Sequence, residues 1–348
     1  MSPERQRARR RAALWLLAAS ALLLATLFLL QRSRGAAPPA PPLIEPLSLI
    51  PAGPAFVLTV DVARLRTTAL GRSLVGKQLE RLAPRKDGAP WDGCEPKLSA
   101  QVDRLAFSVP AAEPSGNGAS APSTTLGVIA AGRFRKDAAL MCVLGTSGSL
   151  DATVLTTIGS FATRRDPRTT REVAARDGLL IQSDGPYFRA LLDRAEQHGP
   201  RITEAEATRD KLHAELRRLV GQNAPIVASL VLPHGWLSAA LSDPTAEASP
   251  LADIRAAALR LDVGTALTLA GTIHCDRDDS CTRLERFLTT LRTDLAPLDA
   301  DAATLLAKLT LTRHGPTLDF SGTLTLADLD HLGTLASPTP APSTAPAP

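Results

Sequence analysis

The 348 residues carry 39 basic and 35 acidic side chains, a formal charge of +4 that would suit nucleic acid or acidic lipid. The placement of that charge removes most of the argument: residues 1–34 hold seven Arg against one Glu, or +6, which leaves the rest of the chain at −2. Aromatic residues at 3% are too few for base-stacking platforms, so no nucleic-acid partner is expected.

Arg5, Arg7, Arg9, Arg10 and Arg11 lead into a run from Ala12 to Leu30, 19 residues without a charge. As a helix rising about 1.5 Å per residue this run spans roughly 28 Å, close to the ~30 Å hydrocarbon core of a bilayer. The pattern predicts a basic cytoplasmic segment at 1–11, a transmembrane helix at 12–30, and everything after Gln31 on the far side. A cleaved secretory signal has the same order of charge and apolar run, and Gly35-Ala36-Ala37 would suit its cleavage. The length of the run and the charged stretch Gln31-Arg32-Ser33-Arg34 favour a retained anchor. Residues 31–47 form a Pro-rich linker, with five prolines between Gly35 and Leu47, a semi-rigid spacer.

Beyond the linker, strand and helix signals alternate. Ala55 to Val62 reads as a strand, and Thr67 to Leu82 as a helix with Leu70, Leu74, Leu79 and Leu82 on one side. Val102 to Val109 and Leu126 to Phe134 are strands joined by a Pro/Gly/Ser-rich loop at 110–125, and Asp137 to Leu144 is a short helix. Arg171 to Ala175 and Leu179 to Ser183 form a hairpin turned at Asp177-Gly178. Pro186 to Gln197 is a helix. Thr203 to Val220 is another, opened by a Thr203/Glu206 capping box, striped by Leu212, Leu216, Leu219 and Val220, and closed at Gly221.

The later elements follow the same order. Ile226 to Leu232 matches the first strand, and Ile254 to Asp262 with Thr265 to Ile273 make a hairpin. Thr282 to Leu295 is a helix bearing Leu284, Phe287, Leu288 and Leu291. Leu305 to Thr312 and Thr317 to Leu324 form a hairpin at His314-Gly315, and Ala327 to Leu335 a last helix. This order predicts an α+β ectodomain with antiparallel hairpins and an internal duplication. Its first repeat is 48–198, its connecting helix 199–224, its second repeat 225–336, with a disordered tail at 337–348.

Four cysteines lie beyond the membrane segment, where disulfides persist. Four Cys permit three pairings, and spacing suggests Cys275 with Cys281 across a strand-to-helix turn, and then Cys94 with Cys142. The second bridge, closing a long loop, contributes about 3–4 kcal/mol if unstrained. His274, Cys275, Asp276, Asp278, Asp279 and Cys281 are the densest set of potential metal ligands. They lack the doubled Cys/His spacing of zinc sites and the Gly turn and distal Glu of calcium loops, so the expectation is no metal. Acidic residues at a helix N-terminus explain the cluster. The histidines at 198, 213, 234, 274, 314 and 331 fall mostly at turns or exposed helix positions, with no Gly-x-Ser-x-Gly to serve. Gly145-Thr146-Ser147-Gly148-Ser149 lacks the Lys and helix of a phosphate loop. Asp61 suits an N-cap, and Trp236 a core or interface position. No catalytic residue and no cofactor is assigned.

The stretch Ile50-Pro51-Ala52-Gly53-Pro54-Ala55-Phe56-Val57, running into Val60-Asp61-Val62-Ala63-Arg64-Leu65-Arg66, resembles the start of uncharacterised membrane-anchored bacterial ectodomain proteins. The resemblance implies a duplicated α+β extracytoplasmic domain and supplies no activity and no site residues. The expectation is a single-pass protein of the bacterial inner membrane with its bulk in the periplasm. It would act as a non-catalytic binding or scaffolding module with an envelope protein partner. The alternative is an envelope hydrolase whose site is dispersed in sequence. Ala18, Ala19, Ser20 and Ala25 would also let the membrane helix pair with another.

Overall fold

The computed structural model describes residues 44–68, 70–71, 101–111, 125–144, 155–165, 171–197, 202–232, 251, 253–295, 300–325 and 327–328. The expected membrane helix, most of the linker, the interior of the 110–125 loop, Cys94 and the tail lie outside these residues. Among the described residues no helix is long and apolar enough to cross a membrane.

A 3-10 turn at Pro46–Leu49 comes first, with Pro46 and Leu49 buried. Ile44 packs against the same apolar cluster, so packing reaches back into the stretch read as linker. β1 (Pro54–Asp61) passes into α1 (Val62–Thr67) at Asp61, whose carboxylate accepts the Arg64 N–H at 2.9 Å. That bond is the N-cap expected of Asp61, but the helix it starts was not. Of the helix expected at 67–82, Leu70 and Gly71 alone lie among the described residues beyond Thr68; both are helical, and the extended Thr68 separates them from α1.

β2 (Val102–Pro110), β3 (Gly127–Gly132) and α2 (Lys136–Leu144) follow as expected. The hairpin of β4 (Leu155–Ile158) and β5 (Phe161–Arg165) was not foreseen. Its outer strand exposes Leu155, Thr156 and Thr157, so no alternation of apolar residues announces it. β6 (Arg171–Arg176), β7 (Leu179–Asp184) and α3 (Gly185–Ala195) come next. α4 (Glu204–Val220) has both the capping box and the left-handed Gly221 closure that its sequence predicts.

β8 (Ile226–Val231), β9 (Ile254–Val263) and β10 (Leu267–Cys275) lead to α5 (Asp278–Leu295), which begins four residues before the expected Thr282 and carries Asp278 and Asp279 in its first turn. Acidic side chains there complement the helix dipole. α6 (Ala300–Ala307) takes Leu305 and Leu306 away from the strand expected at 305–312. Its Ala/Leu composition suits a helix better than a strand, and β11 (Thr310–His314) starts only after it. β12 (Thr317–Leu324) closes the order.

The twelve described strands join one antiparallel sheet, ordered β11-β12-β10-β9-β8-β1-β2-β3-β7-β6-β5-β4. β1 and β8 pair in the middle, Phe56 opposite Leu230 and Val60 opposite Ile226. Outward from β1 the neighbours are β2, β3, β7 and β6; outward from β8 they are β9, β10, β12 and β11. Strand by strand, the two sequences of neighbours correspond, and β5 and β4 extend one end.

Successive side chains alternate between the two faces. On the first, Leu58, Val60, Leu105, Phe107, Ile226 and Leu261 gather under Val62 and Leu65 of α1. α2 and α5 lie on this face too, α2 against Val173 and Ala175, α5 against Leu318. On the second face, α3 lays Phe188, Leu191 and Leu192 over Ile129, Leu179 and Ile181, and Tyr187 donates to Ser108 Oγ at 2.8 Å. α4 sets Leu216 and Val220 on Val227, Ala256 and Ala258.

Gly271 on β10 lies opposite Phe320 on β12. A Cβ there would stand 2.2 Å from the Phe320 ring and 2.6 Å from the Ala258 carbonyl oxygen. Gly271→Ala is therefore expected to destabilise the sheet by about 1–3 kcal/mol through overpacking. A urea midpoint equal to that of the parent would show that the ring and the β9 backbone give way freely.

Candidate functional site

Two polar features stand out on the second face, one buried and one open. The buried one is a row on α4. Gly53 N donates to Asp210 Oδ1 at 2.8 Å, and Arg209 Nε donates to the Gly53 oxygen at 2.9 Å. Gly53 has φ +68, and a Cβ there would meet Glu206, so glycine lets the chain pass close to the helix. His213 bridges the central strands, with Nδ1 at 2.8 Å from Ser229 Oγ and Nε2 at 2.9 Å from the Pro54 oxygen. One turn on, Arg217 donates to the Val227 oxygen at 3.1 Å and to Thr59 Oγ1 at 2.5 Å.

Burial pushes the Arg217 pKa down to about 10, with the Glu45 charge opposing; Glu45 is itself ion-paired with Arg104. The His213 imidazole is held below its ordinary 6.5 by burial, opposed by the Pro54 oxygen and the Asp210 charge and assisted by Arg217 and Arg209. A recess of about 320 Å³ opens beside this row, lined by Glu45, Thr59, Asp61, Arg104, Arg217 and Asn223 among others. The expected apolar stripe of α4 is thus corrected. His213 and Arg217 are buried with Leu216 and Val220, while Leu219 is 59% exposed.

The open feature is a shelf of about 560 Å³ across β10, β12 and β11, overlooked by Leu219 and Val220 of α4. Its floor is ordered by the pairing register. His274, Thr317 and His314 form one cross-strand row, and Thr272, Asp319 and Thr312 the next. Ala270, Ser321 and Thr310 form a third. With strands about 4.8 Å apart, His274 and His314 stand about 10 Å apart at their Cα atoms. Thr272 is 4% exposed, and its hydroxyl has no hydrogen-bond partner.

The expected bond between Cys275 and Cys281 is present, with Cα atoms 5.5 Å apart. Cys94 lies outside the described residues, and of Cys142 only the helical backbone is described, so their pairing is not among the structural findings. Two acidic residues of the cluster around the bond are engaged with cations: Asp276 with Arg255 at 3.1 Å, Asp278 with Arg313 at 2.5 Å. Among the described residues no group of three or more His, Cys, Asp or Glu is placed to hold a metal. His198, His234, His331, Trp236 and the Gly145–Ser149 loop lie outside the described residues.

Sequence reasoning missed both polar features. It took the histidines mostly as turn or exposed helix residues, whereas His213 is buried, His274 is the penultimate residue of β10 and His314 ends β11, both on the shelf. The usable signals were His213 and Arg217 four apart on α4, and the alternation Thr310-x-Thr312-x-His314 on β11, which puts three polar side chains on one face.

The His213 geometry sets a pH dependence. Between its lowered folded pKa and 6.5 the unfolded chain binds the proton and the folded one does not, so stability rises with pH across that window. The contribution is fully present above 6.5 and is lost as pH falls towards the folded value. His213→Gln is expected to flatten the stability–pH slope below pH 6.5; an unchanged slope in urea titrations would assign it to other groups. Cys281→Ser is expected to cost only about 1–2 kcal/mol, because its loop is short, and to leave the far-ultraviolet circular dichroism intact. A collapse of that spectrum would give the bond a larger role.

No protein-family model matches the chain, and no curated protein matches it. Among solved structures, one described as the structure of crystal form I of TP0453 is similar, at a TM-score of 0.45 and 10% identity. The likeness covers 84% of this chain and 98% of that one.

Proposed function

We propose that this chain is a single-pass protein of the bacterial inner membrane, its N-terminus inside, presenting a periplasmic α+β domain built by internal duplication. The domain is a non-catalytic binding or scaffolding module that engages an envelope partner. The uncharged run at 12–30 behind its arginine cluster supports the anchor. The corresponding strand orders on either side of the β1–β8 pair support the duplication.

One observation carries the binding reading. The second face of the first half is closed by α3 over Ile129, Leu179 and Ile181, while the corresponding three strands of the second half carry an open polar shelf. An open, hydroxyl-lined surface with two histidines about 10 Å apart suits recognition better than acid–base chemistry, which needs groups converging on one reacting atom.

Alkaline phosphatase fused after Pro348 is expected to be active. A carbonate wash is expected to leave the full chain in membranes and to release a chain lacking residues 1–34. An inactive fusion with an active cytoplasmic reporter at the same position would overturn the topology, and retention of the shortened chain would require a second attachment.

A further inference from the structure

We infer that the shelf on β10, β12 and β11 is a binding site for an uncharged, hydroxyl-rich ligand, a saccharide chain. The inference rests on the binding reading above and deepens it.

The two halves can be compared position by position. The β6–β7 hairpin closes with Arg176 opposite Leu179, and Leu179 pairs onward with Ala131. The β11–β12 hairpin closes with His314 opposite Thr317, and Thr317 pairs onward with His274. The next row is Ala174, Ile181 and Ile129 in the first half, and Thr312, Asp319 and Thr272 in the second. Ala131, Leu179, Ile181, Ile129 and Ala174 are all fully buried; α3 packs on this floor. In the second half Leu179 is answered by Thr317, Ile181 by Asp319 and Ile129 by Thr272. A floor that docks an apolar helix in one half is hydroxyl, carboxylate and imidazole in the other. Such a floor gives no apolar helix or acyl chain a reason to settle on it.

Thr272 provides an independent sign of a ligand. The residue lines the shelf and is 4% exposed, and its Oγ1, closed off from solvent, has no partner. Buried hydroxyls are ordinarily paired, and an orphan calls for an explanation. A ligand that parts the side chains closing over it and brings a hydroxyl within reach supplies one.

The donor set then selects the ligand class. Thr272, Thr310, Thr312, Thr317 and Ser321 each both donate and accept, and each neutral imidazole has one donor and one acceptor nitrogen. Groups that do both are best matched by ligand hydroxyls. Asp319, in the middle row, has no hydrogen to donate when ionised, and its charge then opposes a phosphate or sulfate chain. Arg260 at the rim is ion-paired with Asp262 at 3.6 Å and does not reverse that sign. Three strands by three rows give a footprint of about 10 by 14 Å, room for a short stretch of sugar units lying flat.

Full-length protein in a detergent without a sugar headgroup is titrated calorimetrically with chitotetraose and maltotetraose, and with hyaluronan tetrasaccharide as the anionic comparison. Saturable binding is expected for at least one neutral probe, tenfold or more tighter than for hyaluronan. Thr272→Val and Thr312→Val are each expected to weaken it tenfold or more. Because the Thr272 hydroxyl has no partner in the fold, Thr272→Val is expected to keep or raise the thermal midpoint, which separates lost binding from lost folding. Neither neutral probe binding at millimolar concentration, binding unchanged in both valine variants, or hyaluronan binding more tightly would each overturn the inference. A photo-crosslinker at Thr312 in whole cells separates the two levels: protein captured there while both neutral probes fail removes the saccharide and leaves the module standing. Failure of both removes both.

Discussion

Everything in this sheet hangs on the β1–β8 pair, because among the described strands it is the one junction between the two halves. Its register sets Phe56 to Val60 against Ile226 to Leu230, with apolar residues on the first face and Thr59 and Ser229 beside Val57 and Val227 on the second. α4 lies across that second side and binds both strands at once. His213 reaches the Pro54 oxygen on β1 and Ser229 on β8, and Arg217 reaches Thr59 on β1 and the Val227 oxygen on β8. A buried guanidinium held by hydroxyl and carbonyl oxygens rather than by a carboxylate keeps much of its desolvation cost. Apolar side chains would bury as well, but they would not fix the helix in one register over the seam. In this protein the polar row is best understood as the feature that aligns the halves.

That row also shows how far sequence could be read. The strands that became β1, β2, β3, β8 and β12 were legible because they alternate or are rich in β-branched residues, and α4 because its capping box and Gly221 closure are local signals. The β4–β5 hairpin escaped because its outer strand buries almost nothing. Leu305 and Leu306 were taken for strand because a short apolar run carries no period of its own. On α4 the period was right and the facing was off by one position: Leu219 took the place that His213 and Arg217 occupy. Whether a polar side chain points inward depends on a partner distant in sequence, here Pro54 and Thr59, and no local pattern encodes that. The disulfide was legible for the opposite reason, since six residues separate its ends.

The same limit applies to the shelf. Each of its strands was read as a strand in its own right, with β11 displaced, yet the site exists only through pairing. His274 and His314 lie forty positions apart in sequence and meet the same residue, Thr317, from opposite sides. Without the register, Thr310-x-Thr312-x-His314 is an ordinary exposed edge strand, where polar residues also discourage pairing with other chains. With it, the same residues form one border of a patterned surface.

A floor of threonines gives up the stabilisation that the first half draws from α3, where Phe188, Leu191 and Leu192 each contribute about 1.5–3 kcal/mol on full burial. The second half holds itself together differently. On its first face α5 is tied by the Cys275–Cys281 bond to the end of β10, and Leu284 packs on Leu318. Arg313 on β11 pairs with Asp278 and Glu285 of α5, and Arg283 of α5 pairs with Asp253 just ahead of β9. Single exposed pairs add little, but several sharing one helix act as a network. Lys308 and Thr325 converge on Asp328 beside the start of β11, which fixes the other border. The clamps sit on the far face and at the edges, so they leave the shelf clear. Their placement fits a surface kept open while the strands beneath it are held in register.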